Sequence, residues 1–503
     1  MCARVTDNGR KCESGDGWLA EACPWSCRIR CDGVPPPDPV LPAQAGITPL
    51  ARLARMPGAD SDDTDGKWLA RQAQVQEAFN HSWAGYVKYA WGFDTLKPVS
   101  MKRMDNMGGL GATIVDSIDT MLVMGWAGER PEEYERARGW IRDKLSFNRG
   151  NLVSTFETII RVLGGLLAAH DLAGEDQVFL NKARVLGETL LQCFGRGASG
   201  MPFPQCLMGR GVGHPSWSSK LAEVGTCQLE FFALSERLGD DRWARMGSNI
   251  VDVIERMDHM FGPQDHLRGV MLDQSGKQMG PTTIGADADS YFEYLLKVWV
   301  YGGRGDKVAR YKSMWDDSMK AAAERIIGRS LEGFKFIKDP PTHGNNMGHL
   351  TCFVPGMLAL GAHHTPGELG EQLMGLAKDL GETCYMMYHR MPTGLSPENA
   401  VFDGDWNSHI RHHIPPCYML PPDAREPLPV GGEEQTKPRC EEFVLPMGDW
   451  EKAKREQIQV AYPQGSVGAR DPRNFQRPET VESLFYLWRL TGDDKYREWG
   501  WEI

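Results

Sequence analysis

Five apolar stretches carry charged residues paired at helical spacing. RPETVESLFYLW holds Glu479 and Glu482, GATIVDSIDTMLVMG holds Asp116 and Asp119, and STFETIIRVLGGLLAA holds Glu157 and Arg161. LAEVGTCQLEFFAL holds Glu223 and Glu230, and ADSYFEYLLKVWV holds Asp289 and Glu293. Spacings of three, four and seven place both members of a pair on one helical face. Any single pair is more often a solvated stripe. Five of them, each in an otherwise apolar helix, fit solvated faces poorly. A buried carboxylate is costly unless it is paired, hydrogen-bonded or bound to metal. Carboxylates lining a cavity suit hydrolysis of a glycosidic bond or binding of a hard cation.

The stretch around Glu479 is the most organised. Pro478 suits a helix start, Glu479 falls near the partly positive N-terminus, and Glu482 lies one turn on. The plain alternative is a first-turn acid serving the helix dipole.

Such acids need helices to aim them. LAAHDLAGED, FFALSERLGDDRW and LFYLWRLTGDDKY share a pattern of apolar helix end, glycine, acids and restart, and VWVYGGRGDKVARY is a looser copy. The turn glycines are Gly174, Gly239, Gly305 and Gly492. The first three lie 65 (239 − 174) and 66 (305 − 239) residues apart. Glycine ends a helix by accepting a left-handed conformation, so the pattern predicts helical hairpins at a near-fixed period. The fold expected is all-α, an α/α toroid, because the acids need a shared centre.

The 503-residue chain is 41% hydrophobic and 24% charged, enough for a sizeable core. A net charge of −11 with no long basic run argues against nucleic acid as a partner. No apolar run approaches the roughly 20 residues that span a bilayer. The first 30 residues hold no signal-peptide core. Cys2, Cys12, Cys23, Cys27 and Cys31 crowd residues 1–32, which reads as a small disulfide scaffold from an oxidising compartment. Cys23, Cys27 and Cys31 loosely resemble the end of a ShK-toxin-like module. A zinc site is the rival, without a CxxC pair to support it. An oxidising compartment without a signal peptide leads us to expect that the natural chain starts elsewhere. Residues 33–66 read as a Pro/Asp-rich linker and 67–503 as the main domain, with an insertion at about 402–470. The insertion holds Cys417, Cys440 and the metal-like trio His409, His412 and His413, read as an exposed loop.

Taken in order, HSWAGYVKYAWGFDTLKPVS, GGLGATIVDSIDTMLVMG, STFETIIRVLGGLLAAHDL, LAEVGTCQLEFFALSERLGD, GADADSYFEYLLKVW, HLTCFVPGMLALGA, TGLSPE and RPETVESLFYLWRLTGDDKYREWGW resemble glycoside hydrolase family 47, the class I α-1,2-mannosidases of N-glycan processing. The resemblance covers about 80–500. It implies an (αα)7 barrel, calcium as cofactor, and inverting hydrolysis of terminal α-1,2-linked mannose from high-mannose N-glycans. It implies Glu479 as general base and Glu157 or Asp289 as acid, Glu157 acting through a water. Asp116, Glu230, Glu293 and Glu482 match acids lining the pocket, the last three holding the cation's waters. Arg161, Arg477 and His349 match sugar-site residues, and Cys352 and Cys384 the family disulfide. From the residues alone, Arg161 could simply pair with Glu157, and His349 could be a satisfied core histidine.

The sequence departs from the family twice. Endoplasmic-reticulum members usually carry arginine, and Golgi members a small or apolar residue, where this chain has Asp287, so an altered glycan-arm preference is expected. The chain also ends at Ile503, before the family's last hairpin and its calcium-ligating threonine. The resemblance therefore implies no direct metal ligand within 1–503, weak calcium binding and little activity for this length. A monomer in the endoplasmic reticulum or Golgi lumen is expected. The rival readings are a glycan-binding quality-control protein and an inactive fragment; Cys352 and Cys384 favour the processing enzyme.

Overall fold

A computed structural model describes residues 66–195, 200–210, 212–214, 216, 218–256, 266–273, 277–330, 332–340, 344–391, 393–402 and 467–503, with the backbone of three short strands before residue 31. The pairing of the five early cysteines and the trio His409, His412 and His413 lie outside these residues, as do Cys417 and Cys440. The chain divides into two compact units. The first comprises Met1–Thr282 and Asp287–Ala321, the second Thr283–Ala286 and Ala322–Ile503.

In the first unit the main elements are helices, among them Gly164–Leu172, Gln177–Leu190, Gln228–Leu238, Arg242–Arg256 and Asp289–Tyr301. Gln177–Leu190 shows how the sequence builds one. Asp176 caps it by accepting from the Val178 N–H at 2.9 Å, and Phe179, Leu180, Ala183, Leu186 and Leu190 bury one face. Gly187 lies on that face because a Cβ there would sit 2.4 Å from the Leu234 side chain. Successive hairpins are tied at the period read from the sequence. Arg237 bonds Asp171, 66 residues back, and Tyr301 donates to Glu236, 65 residues back, at 2.6 Å. Thr226 and Ser290, 64 apart, share a hydroxyl–hydroxyl bond of 2.8 Å.

The expected turn glycines hold at Gly174, Gly239 and Gly492, with φ of 71°, 64° and 70°. Gly305 does not take this role: its φ is −81°, and Gly303 (φ 73°) and Arg304 (φ 63°) make the left-handed turn instead. The double glycine Gly302–Gly303 lets the chain turn two residues earlier than the spacing predicted.

Two of the five charged pairs also lie differently than expected. Asp116 caps the short helix Ala112–Val115, while Asp119 belongs to the next one, Ile118–Val123. Glu223 lies in Leu221–Gly225 and Glu230 in Gln228–Leu238. Between them Thr226 leaves helical geometry (φ −126°, ψ 85°) and engages Ser290. Neither pair shares one helical face.

The second unit holds the helices Val354–His363, Glu368–His389, Glu479–Thr491 and Lys495–Glu502. It also holds an antiparallel sheet of Asn346–Gly348, Asn399–Phe402 and Val467–Asp471. The last strand overlaps the end of the span expected as insertion, so regular structure resumes at Val467. Ser483 locks the Glu479–Thr491 helix in place. Its hydroxyl donates to the Cys352 carbonyl at 2.5 Å and accepts from the Gly356 N–H at 2.9 Å. Gly356 permits this approach, since a Cβ there would meet the Ser483 Cα at 3.1 Å. Cys352 and Cys384 form a disulfide that pins the turn before Val354 to the Glu368–His389 helix. Among the described residues no helix is long and apolar enough to cross a membrane.

Candidate active site

Three groups of expected site residues are built locally, two in the first unit and one in the second. Glu157 ends a short helix whose cap, Ser154, accepts from the Glu157 N–H at 3.2 Å. The strand Leu152–Ser154 that delivers it pairs with Gln205–Leu207. That partner strand is anchored by a Cys193–Cys206 disulfide, which the sequence reading missed. After Glu157 the helix widens into a π-type turn, Thr158–Leu163. Such turns are rare and cluster at functional sites. Arg161 lies on it and serves two acids, with Nε at 2.5 Å from Glu157 and an Nη at 3.5 Å from Asp116. Burial pushes the Asp116 carboxyl up against the pull of Arg161.

The second group lies on neighbouring helices. Glu230 is only 8% exposed. One of its oxygens accepts from the Tyr294 hydroxyl at 2.6 Å; the other has no hydrogen-bond partner among the described residues. Burial pushes Glu230 up to about 7, the Tyr294 bond pulls down, and nearby Glu293 adds to the rise. Glu293 itself accepts from Lys297. Asp289 opens its helix and accepts from the Ser290 N–H at 2.8 Å. Two residues earlier Asp287 takes a left-handed conformation (φ 72°), unusual for a non-glycine residue. Lys220 holds its carboxylate at 2.6 Å and the Ala222 N–H holds its carbonyl at 2.9 Å. The same corner keeps Glu223, which accepts from the Lys220 N–H at 3.1 Å and is pushed up by burial.

In the second unit, Glu479 opens its helix directly after Pro478, as expected to within one residue. Its Oε2 is buried without a hydrogen-bond partner among the described residues. Burial pushes its carboxyl up; its own backbone N–H and Arg477 pull down, while Glu482 and Glu398 push further up. Arg477 is gripped by both oxygens of Glu398, at 2.7 and 2.6 Å. Glu398 was not among the expected site residues. Its signal lay in TGLSPE, an acid just after a proline within a matching stretch. Glu482 sits one turn along the same helix. His349 is fully buried, bonded through Nε2 to Tyr388 at 2.8 Å and to Thr480 at 3.5 Å. Its Nδ1 has no hydrogen-bond partner among the described residues. Burial pushes its pKa down to about 4, so the ring is neutral near pH 7.

Among the described residues no three His, Cys, Asp or Glu side chains gather around a position able to hold a metal ion directly. A glycoside hydrolase works with a pair of carboxyl groups flanking the scissile bond. The chain belongs to glycosyl hydrolase family 47, whose profile matches residues 78–503. It is 37% identical to the Arabidopsis thaliana protein named mannosyl-oligosaccharide 1,2-alpha-mannosidase MNS1, over 91% of this chain and 70% of that one. It is 36% identical to the human endoplasmic reticulum mannosyl-oligosaccharide 1,2-alpha-mannosidase, over 89% of this chain and 56% of that one. The alpha-1,2-mannosidase structure from Trichoderma reesei matches with a TM-score of 0.70 at 23% identity, covering 86% of this chain and 83% of that one. That likeness identifies the fold as the family's (αα)7 barrel of helical hairpins.

Proposed function

We propose that this protein removes terminal α-1,2-linked mannose from high-mannose N-glycans, with inversion at the anomeric carbon and with calcium. The observation that carries the reading is Glu479, whose buried oxygen has no hydrogen-bond partner among the described residues, beside an arginine already engaged by Glu398. A general base must be able to take a proton from water. Glu479 takes that role, and Glu157 or Asp289 supplies the proton to the leaving oxygen. Inverting hydrolysis needs about 6.5–9.5 Å between the two carboxyl groups, which leaves room for the water. Arg161 and Arg477 bind sugar hydroxyls, and Asp116 lines the pocket beside Arg161; His349, expected at the sugar site, is fully buried and bonds Tyr388 and Thr480 as a core histidine instead.

The residues present fit a hydrated cation better than a directly ligated one. Calcium takes about six to eight oxygens, waters included. Glu230 offers a buried carboxylate oxygen without a hydrogen-bond partner among the described residues. Glu230, Glu293 and Glu482 would hold the ion through its waters. When bound, the ion would supply positive charge that orients sugar hydroxyls.

The two disulfides in the described residues support an oxidising compartment, and the human relative's name places that protein in the endoplasmic reticulum. We place this protein in the secretory-pathway lumen and take it to be a monomer. Digestion of a nine-mannose N-glycan tests the reading. The expected result is release of α-1,2-linked mannose only, stopped by a chelator and restored by calcium. Release of α-1,3- or α-1,6-linked mannose, or indifference to the chelator, would contradict it.

A further inference from the structure

We propose that an open cavity on the second unit's sheet is a separate sugar subsite, for a residue of the glycan other than the mannose being cleaved. The proposal rests on the reading above and adds a second point of contact with the same substrate. The cavity, about 500 Å³, is lined by Asn346, Asn399, Arg470, Asp471, Arg473 and two prolines. That is within the usual size of a small-molecule site.

The sheet builds it through a β-bulge. Asn399 lies opposite Asp471 and Ala400 opposite Ala469, so Arg470 is the extra residue between them. Bulges re-aim a side chain and recur beside active sites. The Arg470 guanidinium is turned onto Asn346, donating to its Oδ1 at 2.9 Å. Asn346 is buried and fixed in turn, donating from Nδ2 to the Asp339 and Pro340 carbonyls at 3.2 and 3.3 Å. Asn399 is half-buried, and its side-chain amide has no hydrogen-bond partner among the described residues. An amide in that position gains free energy only from water or a ligand. Arg473 is answered by Asp471, with contacts of 2.9 and 2.6 Å.

This chemistry suits a polyol. The lining is two amides, the Arg470 guanidinium bonded to one of them, and the Arg473–Asp471 ion pair, whose charges cancel. Planar donors and acceptors of this kind match neighbouring sugar hydroxyls, each of which both donates and accepts. The proline rings offer apolar contact for the C–H face of a pyranose. Position agrees with the chemistry. Asn399 directly follows Glu398, which grips Arg477, and the Glu398 N–H donates to the Arg473 carbonyl at 2.7 Å. Between cavity and base candidate stands Phe475, 52% exposed, with the Arg473 and Arg477 guanidinium carbons 5.2 and 5.4 Å from its ring centre. An exposed ring of this kind is a stacking surface for a sugar. A branched glycan with one mannose at Glu479 thus has a second polar seat along the same stretch of chain.

Titration calorimetry on the Glu479→Gln protein, chosen because loss of the base slows turnover, tests this with a nine-mannose N-glycan and the mannose-α-1,2-mannose disaccharide. The expected result is tighter binding of the glycan. Arg470→Ala and Asn399→Ala should each weaken the glycan about tenfold, the loss of one or two hydrogen bonds, and narrow the gap between the two ligands. Arg470→Lys, which keeps a cation but not the planar fork, should fall between. An unchanged melting temperature in each variant excludes misfolding. Equal weakening of both ligands, or an unaltered glycan affinity, would overturn the subsite. If both ligands bind with the expected gap but the unmodified protein cleaves neither, the hydrolase reading fails and the subsite stands. If neither binds, both fail.

Discussion

Arg161 and Arg477 sit beside candidate catalytic carboxylates and treat them in opposite ways. In the first unit Arg161 bonds Glu157 itself and reaches on to Asp116. In the second unit both oxygens of Glu398 hold Arg477, and the buried Oε2 of Glu479 has no hydrogen-bond partner among the described residues. An arginine bonded to a carboxylate fixes its orientation and occupies a lone pair. An arginine bonded elsewhere lends charge and leaves the lone pair available. The first arrangement suits a group that must be aimed, the second a group that must take a proton from water. Sequence spacing shows that arginine and glutamate are close; it does not show which carboxylate the arginine chooses.

The largest expected effect separates these two roles. Glu479→Gln should lower kcat by at least the 10²–10⁴-fold typical of general-base loss, roughly 3–5 kcal/mol of barrier, for every substrate. Glu157→Gln should be as damaging on a mannose–mannose bond, yet recover on an aryl mannoside whose leaving group needs no proton. Kinetics on both substrates check this. Equal losses on both substrates for both variants would erase the distinction. Because burial raises Glu479, activity should fall as pH drops through its raised pKa, since the base must be ionised.

A smaller effect compares Glu230 of the first unit with His349 of the second. Both are buried, with opposite pH signs. Glu230, raised to about 7, binds its proton more tightly folded than unfolded. Its contribution is present below the ordinary carboxylate pKa and is lost as pH rises to about 7. His349, lowered to about 4, gives a contribution that is present above the ordinary histidine pKa and is lost as pH falls towards 4. Each is on the order of 3 kcal/mol by linkage, so the two nearly cancel in the unaltered protein. With chelator present, His349→Gln should gain stability relative to the parent on going from pH 7 to pH 4, and Glu230→Gln should lose it. Denaturant midpoints at the two pH values decide, and variants that track the parent at both would refute the assignment.

The repeat was legible because it is written in the chain. Glycine-and-acid turns 65 and 66 residues apart became cross-hairpin bonds between residues 64 to 66 apart. Glu157 with Arg161 and the helix start at Glu479 were legible for the same reason, being local. What was lost depends on distant contacts. Thr226 leaves the helix for Ser290, which separates Glu223 from Glu230. The turn expected at Gly305 moves to Gly303 because the adjacent Gly302 and Gly303 allow it. Glu398 lies 79 residues before its arginine, and the Cys193–Cys206 bond has no local spacing rule behind it.

In the proposed reaction Glu479 activates a water for direct displacement at the anomeric carbon. Proton NMR of mannose-α-1,2-mannose during the first turnovers, before the released sugar mutarotates, tests it most directly. The expected first product from the unaltered protein is β-mannose, released about 10²-fold or more slowly by Glu479→Gln. Initial release of α-mannose, or β-mannose still appearing at the parent rate in Glu479→Gln, would contradict it.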